Sequence, residues 1–326
     1  MSQASRAVAA VAMLLGVTAA AIGQDLNVPR PAADIERQLA TEPFRIAAAE
    51  ISRPKAKGDI TLKAEIAFSG QAPYRVKLRR AEPGAEDFNN RPRYDLAAYE
   101  LQKLFLDPAE YVVPPTALRF VPVADLLPFA AAAKPTFRGS DEVLVVLQYW
   151  LQEVKLAADL YDAARFAADA GYARHLGQLN VLTWLIEHGD SNLGNFLISK
   201  AEQAPRVFSV DNGVSFAYNE SDREHAWKDL RVPRLPADTV ARLRAITPSQ
   251  LQQRLGVLAQ WRLDGGRWIA VDVGANLDSR NVVRRAGEVV QLGLREGEID
   301  QVARRLKRLL ERIDDGEIGL LEGSQP

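Results

Sequence analysis

Between positions 188 and 213 the chain carries His188-Gly-Asp-Ser-Asn-Leu-Gly-Asn195 and then Val210-Asp-Asn-Gly213. Asn195 follows Asp190 by five positions, and Asp211 follows it by 21 (211 − 190). Phosphoryl transfer from a metal-bound nucleotide needs such a set. One carboxylate orients the acceptor hydroxyl. An amide oxygen and a second carboxylate hold magnesium on the phosphates. Each piece alone has a bland reading. An Asp and an Asn five apart arise often by chance, and Asp-Asn-Gly is a common turn because Asn and Gly tolerate positive φ. Their conjunction carries the argument.

Two short strands and an apolar helix must position this set. Leu179–Ile186 is an apolar helical stretch that ends just before His188. Phe196-Leu-Ile198 and Val207–Val210 flank Ala201–Pro205 as short strands. Upstream, Ile60, Leu62, Ala64, Ile66 and Phe68 alternate with polar residues, and Tyr74, Val76 and Leu78 do the same after Ser69-Gly70-Gln71. Period two predicts an antiparallel hairpin. A helix is expected at about 95–106, with Ala97, Ala98, Leu101, Leu104 and Phe105 on one face. Residues 112–116 should be extended before and through the prolines. Val143–Leu147 reads as a buried strand. Residues 150–170 read as a long Ala/Leu helix, and further helices are expected at 237–246, 248–260 and 298–313. Residues 24–58 are expected to wrap the surface, with a short helix near Ile35–Leu39.

The chain has 326 residues, 47% hydrophobic and 25% charged, enough for one large domain or two lobes. Its net charge of −1 supplies no global field for nucleic acid, so nucleic acid is not an expected partner. Basic runs occur at Arg75–Arg80 and Arg304–Arg312, the second on an amphipathic helix whose charged face is expected to be solvated. There is no cysteine, which excludes disulfides and thiolate chemistry. His175 and His225 lack ligand-spaced partners, so zinc is not expected. Asp272-Val-Gly274 reads as a turn. Residues 7–23 are small and apolar after Arg6, with Ala21-Ile22-Gly23 as a cleavage pattern. Residues 1–23 are therefore expected to be a signal peptide. The uncleaved alternative is a membrane anchor barely long enough to span. After cleavage no stable membrane span is expected, and the chain should be exported, periplasmic or secreted.

Three blocks resemble a family. Asp95-Leu-Ala-Ala-Tyr-Glu-Leu with Tyr111-Val-Val-Pro-Pro-Thr116, then Leu185–Phe196, then Val210–Phe216 are similar to segments of the phosphatidylinositol 3-/4-kinase-like branch of the kinase superfamily. That branch is akin to the HipA-type and secretory-pathway kinases. The spacing also matches the kinase catalytic loop H-R-D-x-x-x-x-N and the D-F-G turn. The resemblance implies an α+β, two-lobed kinase-like fold. Residues 24–41 would be an extension, 42–147 a strand-rich N-lobe and 148–320 a helical C-lobe, with ATP in the cleft. It implies Asp190 as the catalytic aspartate, Asn195 and Asp211 as ligands of Mg²⁺ or Mn²⁺, and Lys77 as the strand lysine on the nucleotide phosphates. Asp95 would pair with Lys77 from the helix, and Gln148-Tyr149-Trp150 would lie at the hinge where backbone meets adenine. His188 would brace the loop.

Several positions keep a second reading. Lys77 reads also as a surface cation, like Arg75 and Arg79. Asp95 reads equally as a helix N-cap, with Glu100 as a weaker partner for the lysine. Tyr149 and Trp150 read equally as core. The family's Arg-His after the catalytic aspartate is Ser191-Asn192 here, and no glycine-rich loop precedes Lys77. The expected function is ATP- and Mg²⁺-dependent phosphoryl transfer to a hydroxyl on a protein, lipid or small molecule. The alternatives are an exported pseudokinase acting as a binding module, and an AMP- or glutamyl-transferase on the same fold.

Overall fold

The structure, a computed structural model, describes residues 26–52, 60–81, 91–157, 159–216 and 225–322. The expected signal peptide, residues 1–23, lies outside the described residues. The fold is mixed α+β, built on several antiparallel sheets.

Helix α1 (Ala32–Thr41) begins after Pro31 and buries Ile35 and Leu39 completely. Strand β1 (Phe44–Ile51) follows. The stretch expected to wrap the surface thus supplies a core helix and an edge strand. β1 was not legible because its Ala-rich sequence lacks both alternation and β-branched density. Strands β2 (Thr61–Phe68) and β3 (Tyr74–Arg80) form the expected hairpin, with Leu62 opposite Leu78 and Lys63 opposite Lys77. Helix α2 (Pro92–Gln102) starts earlier than expected, at a proline suited to the first helical turn, and residues 103–106 leave it as a turn. Then come β4 (Thr116–Pro122), the single turn α3 (Val123–Leu126) and β5 (Glu142–Tyr149), buried along its whole length.

These strands make one antiparallel sheet in the order β1-β2-β3-β5-β4. Its alternating side chains separate two apolar clusters. Leu62, Ala64, Val76, Leu78, Val145 and Leu147 pack beneath α1. Leu118, Val146 and Leu144 face the opposite way, into the larger core shared with α2 and the elements that follow.

The expected helix over 150–170 is instead a strand, β6 (Val154–Leu156), and a short helix, α4 (Ala163–Ala168). Two aspartates break the pattern. Asp162 caps α4 by accepting the Arg165 N–H at 2.9 Å. Asp169 caps the next helix, α5 (Ala170–Ile186), by accepting the Tyr172 N–H at 3.0 Å. Strands β7 (Phe196–Ser199) and β8 (Val207–Ser209) join β6 in an antiparallel sheet.

Strand β9 (Arg234–Pro236), α6 (Ala237–Ala245) and α7 (Pro248–Leu255) come next. The helix expected to reach residue 260 stops at Leu255. Strands β10 (Ala259–Asp264), β11 (Arg267–Ala270), β12 (Val283–Ala286) and β13 (Val289–Leu292) then form a sheet that the sequence reading missed. Its first hairpin closes on Gly265-Gly266, both at positive φ. Trp261 and Trp268 seat it on Phe120 of β4, with ring centroids at 5.1 and 5.4 Å. Helix α8 (Glu296–Asp314) buries Ile299, Val302, Leu306, Leu309 and Ile313 as one stripe, and β14 (Gly319–Leu321) pairs in parallel with β9.

The added sheet meets the end of α7 through backbone. A Cβ on Gly293 would lie 2.0 Å from the carbonyl oxygen of Gly256. Gly293→Ala is therefore expected to cost about 1–3 kcal/mol or more, read as a lower urea midpoint. Gly297→Ala, where a Cβ meets no neighbour, should stay within about 1 kcal/mol of wild type.

Candidate active site

The site is assembled from four pieces of chain. The first is β3, where period two puts Lys77 and Arg79 on the face away from α1. The second is the first turn of α2, which carries Asp95. The third is the loop after α5. That helix ends at Glu187, whose left-handed φ of 50° turns the chain, and the His188 N–H returns to the Thr183 carbonyl at 3.0 Å. The fourth is the turn after β8.

Backbone hydrogen bonds tie the loop to the turn. The Val210 N–H donates to the Asn195 carbonyl at 2.9 Å, extending the β7–β8 ladder and setting Asp211 beside Asn195. The Gly189 N–H donates to the Val214 carbonyl at 2.8 Å. Asp211 itself lies at φ 59°, a left-handed conformation that costs energy for a non-glycine residue and concentrates at functional sites.

Within the loop, Asp190 is half-buried and held from two sides. Asn192 Nδ2 donates to its Oδ1 at 2.8 Å. Asn195 Nδ2 donates to its Oδ2 at 3.2 Å and to its carbonyl at 2.7 Å. Asn192 also accepts the Gly194 N–H at 2.9 Å. Ser191 is buried and accepts the Trp227 N–H at 3.1 Å. Ser191 and Asn192 thus both have structural partners. Asn192 contacts Asp190 directly, which sequence reading did not foresee.

Lys77 Nζ donates to Asp211 Oδ1, with side-chain exposures of 20% and 35%. The expected Lys77–Asp95 pair is not what forms. Asp95 accepts from Arg79 Nη1 at 2.8 Å instead, both groups buried, and the same Arg79 nitrogen lies 3.5 Å from Asp211 Oδ1. Arg79, read from sequence as a surface cation, is a central buried one. The available signal was its place two residues after Lys77 on one strand face. Burial pushes the Asp95 carboxyl up, and Arg79, Lys77 and the Asn212 backbone N–H draw it back down.

The positions expected at a hinge divide. Gln148 sits opposite Lys77 in the β3–β5 register, and its Nε2 donates to Thr116 Oγ1 at 3.1 Å. Tyr149 points to the other face, among the residues under α1, and its N–H donates to the Pro115 carbonyl at 2.8 Å. Both its ring and its amide are thereby engaged away from Lys77. The Trp150 N–H donates to the Arg75 carbonyl at 3.0 Å, and its half-exposed ring lies under Lys63 at 5.2 Å.

His188 is fully buried, and its Nδ1 faces the Asp190 N–H at 3.4 Å. Burial drives its pKa from the usual 6.5 down to about 4, with Asp190 and Asp211 opposing. The folded protein therefore prefers neutral His188, and the unfolded chain takes the proton first. Its contribution is complete above pH 6.5 and is lost as pH falls toward 4, on the order of 3 kcal/mol across that window. Stability measured by denaturant from pH 7 to 4 should fall more steeply in wild type than in His188→Asn. Equal slopes would refute this.

Among the described residues, no group of three His, Asp or Glu side chains is clustered to hold a metal. The oxygens offered here are those of Asn195 and Asp211. Asn195 commits its amide nitrogen to Asp190, which turns its amide oxygen away from that carboxylate. Oxygen donors of this kind suit a hard cation such as Mg²⁺, which takes few protein ligands and completes its shell with phosphate and water. Among the described residues, no helix is long and apolar enough to cross a membrane. No protein-family model matches this chain, and no curated protein matches it.

Proposed function

We propose that this chain is an ATP- and Mg²⁺-dependent phosphotransferase of two-lobed kinase type, acting on an acceptor hydroxyl. One observation carries the reading. Lys77 from the sheet, the Asp190–Asn195 loop and the Asp211 turn converge, with Lys77 on Asp211, Asn195 on Asp190 and the Val210 N–H on Asn195. The five-stranded sheet, with α2 between β3 and β4, supports the N-lobe of such a fold, and α5 with the elements after it supports the C-lobe.

In this reading Asn195 and Asp211 hold Mg²⁺, which neutralises phosphate charge when bound. Lys77 leaves Asp211 to bind phosphate oxygens. Asp190 orients the acceptor hydroxyl and takes its proton. The acceptor oxygen bonds to the γ-phosphorus as the bond to the β,γ-bridging oxygen breaks, leaving ADP. Catalysis is then positioning and electrostatic stabilisation. Adenine would meet the chain beyond Tyr149, since the Tyr149 and Trp150 amides are used within the sheet. Export, carried by residues 1–23, belongs to the same proposal, and an exported kinase needs ATP outside the cytoplasm or inside another cell.

The test is thermal stability titrated with ATP, with and without Mg²⁺. A ligand that binds only the folded state adds roughly 2.7 kcal/mol at 100 times its Kd. No shift at millimolar ATP and Mg²⁺ would sink the proposal. Label from γ-³²P ATP appearing on an acceptor marks a kinase, and label from the α position marks an AMP-transferase.

A further inference from the structure

The cluster around Asp211 contains one cation more than the reading above uses. Arg79 follows Lys77 onto the same face of β3. It is 3% exposed, and its Nη1 stands between two carboxylates, 2.8 Å from Asp95 Oδ2 and 3.5 Å from Asp211 Oδ1. Lys77 holds that same Asp211 oxygen from a more exposed position. A buried ion pair is weak support for stability, because well-packed apolar residues serve as well. What an Arg–Asp pair adds is direction. The guanidinium is planar, permanently charged and able to face two acceptors at once, which a lysine ammonium on a flexible stem cannot match.

The turn that carries Asp211 is also fastened to the start of α2. The Arg91 N–H, at the N-cap of that helix, donates to the Gly213 carbonyl at 2.7 Å. Asp95, Arg79 and Asp211 therefore form a continuous run from helix to strand to turn.

We propose that Arg79 is the positioning residue for Asp211, holding its carboxylate while Lys77 moves from Asp211 to the phosphates of an incoming nucleotide. The proposal rests on the phosphotransferase reading. It assigns the helix-to-strand ion pair to Arg79 and Asp95, and so releases Lys77 for the ligand. Asp211 keeps its orientation toward the metal through Arg79.

The experiment uses the whole chain with ATP and MgCl₂ as probes. Thermal stability is titrated with Mg²⁺ at fixed ATP, and with ATP alone, in wild type and Arg79→Lys. In Arg79→Lys the Mg²⁺ concentration for half-maximal stabilisation should rise about tenfold or more, as for other lost supports of a metal ligand. Metal-free ATP affinity, carried by Lys77, should change less than about twofold, well below the tenfold that marks a lost contact. Asp95→Asn, which keeps the volume and removes the negative charge paired with Arg79, should shift the Mg²⁺ midpoint in the same direction, and it decides the matter if Arg79→Lys does not fold. A variant with lowered melting temperature but a wild-type Mg²⁺ midpoint makes Arg79 merely structural and overturns the proposal. Wild type that gains nothing from ATP and Mg²⁺ overturns the phosphotransferase reading and this inference with it.

Discussion

Asp211→Asn is expected to erase the Mg²⁺-dependent part of stabilisation by ATP while leaving the unliganded protein close to wild type. The choice of residue matters. Asp211 sits at φ 59°, where Asn is comfortable and Ala is strained. Asparagine removes the charge and keeps the backbone. Asp211→Ala removes both, so its unliganded form should lose a further increment of about 1 kcal/mol. Losing the ion pair with Lys77 should itself cost little, since both groups are partly exposed and such pairs contribute about 0–1 kcal/mol. The ligand response is the large effect. Near 100 times the Kd, wild type should gain roughly 2.7 kcal/mol, and Asp211→Asn should respond equally with and without Mg²⁺. A Mg²⁺ response retained in full would remove Asp211 from the metal site.

Asp190→Asn should behave in the opposite way. Nucleotide and metal stabilisation should survive, and transfer should fall by about 10²–10⁴, the range supplied by a positioned general base. Asparagine can accept the Asn192 amide on one side, so the loop keeps most of its shape. The KM for ATP should stay within a small factor while kcat falls. A proportionate loss of binding would mean that Asp190 organises the loop and does no chemistry of its own.

How far these residues could be read in advance depended on where each one's surroundings come from. The β2–β3 hairpin was legible because one face is buried and one is not, so burial writes period two into the sequence. The Asp190–Asn195 loop and the Asp211 turn stood out because their residue types and spacing suit phosphoryl transfer, and the fold brings the two side by side through the Val210 N–H on the Asn195 carbonyl. Arg79 did not. Arg75 and Arg79 share a strand face and a residue type, yet Arg75 is exposed and Arg79 buried, and only α2 and the Asp211 turn make the difference. The same holds for the partner of Lys77. Local sequence placed Asp95 at the start of a helix, but which cation it met was decided by three segments arriving together. The sheet over 259–292 was missed for a different reason. Helical periodicity in α7 runs on past Leu255 into the sequence of β10 and masks the turn signal of Asp264-Gly265-Gly266. Over 150–170, Ala and Leu outweighed the two capping aspartates.

At the other end of the chain, Asn27 is 3% exposed. Its Nδ2 donates to the Gln152 and Glu153 carbonyls at 2.9 and 3.1 Å, and its own carbonyl accepts the Gln152 N–H at 3.1 Å. One side chain thereby latches the first described residues onto the segment that leaves β5, a few positions past Gln148. Were residues 1–23 removed, as proposed above, the margin for trimming would be a handful of residues: a cut after Gly23 would spare the latch, and one four residues later would take Asn27 with it. A peptidase that overshot would leave a chain with every residue of the Asp190–Asp211 set intact and the Asn27 latch gone. Limited proteolysis near Gln152 would report the difference before any assay of transfer could.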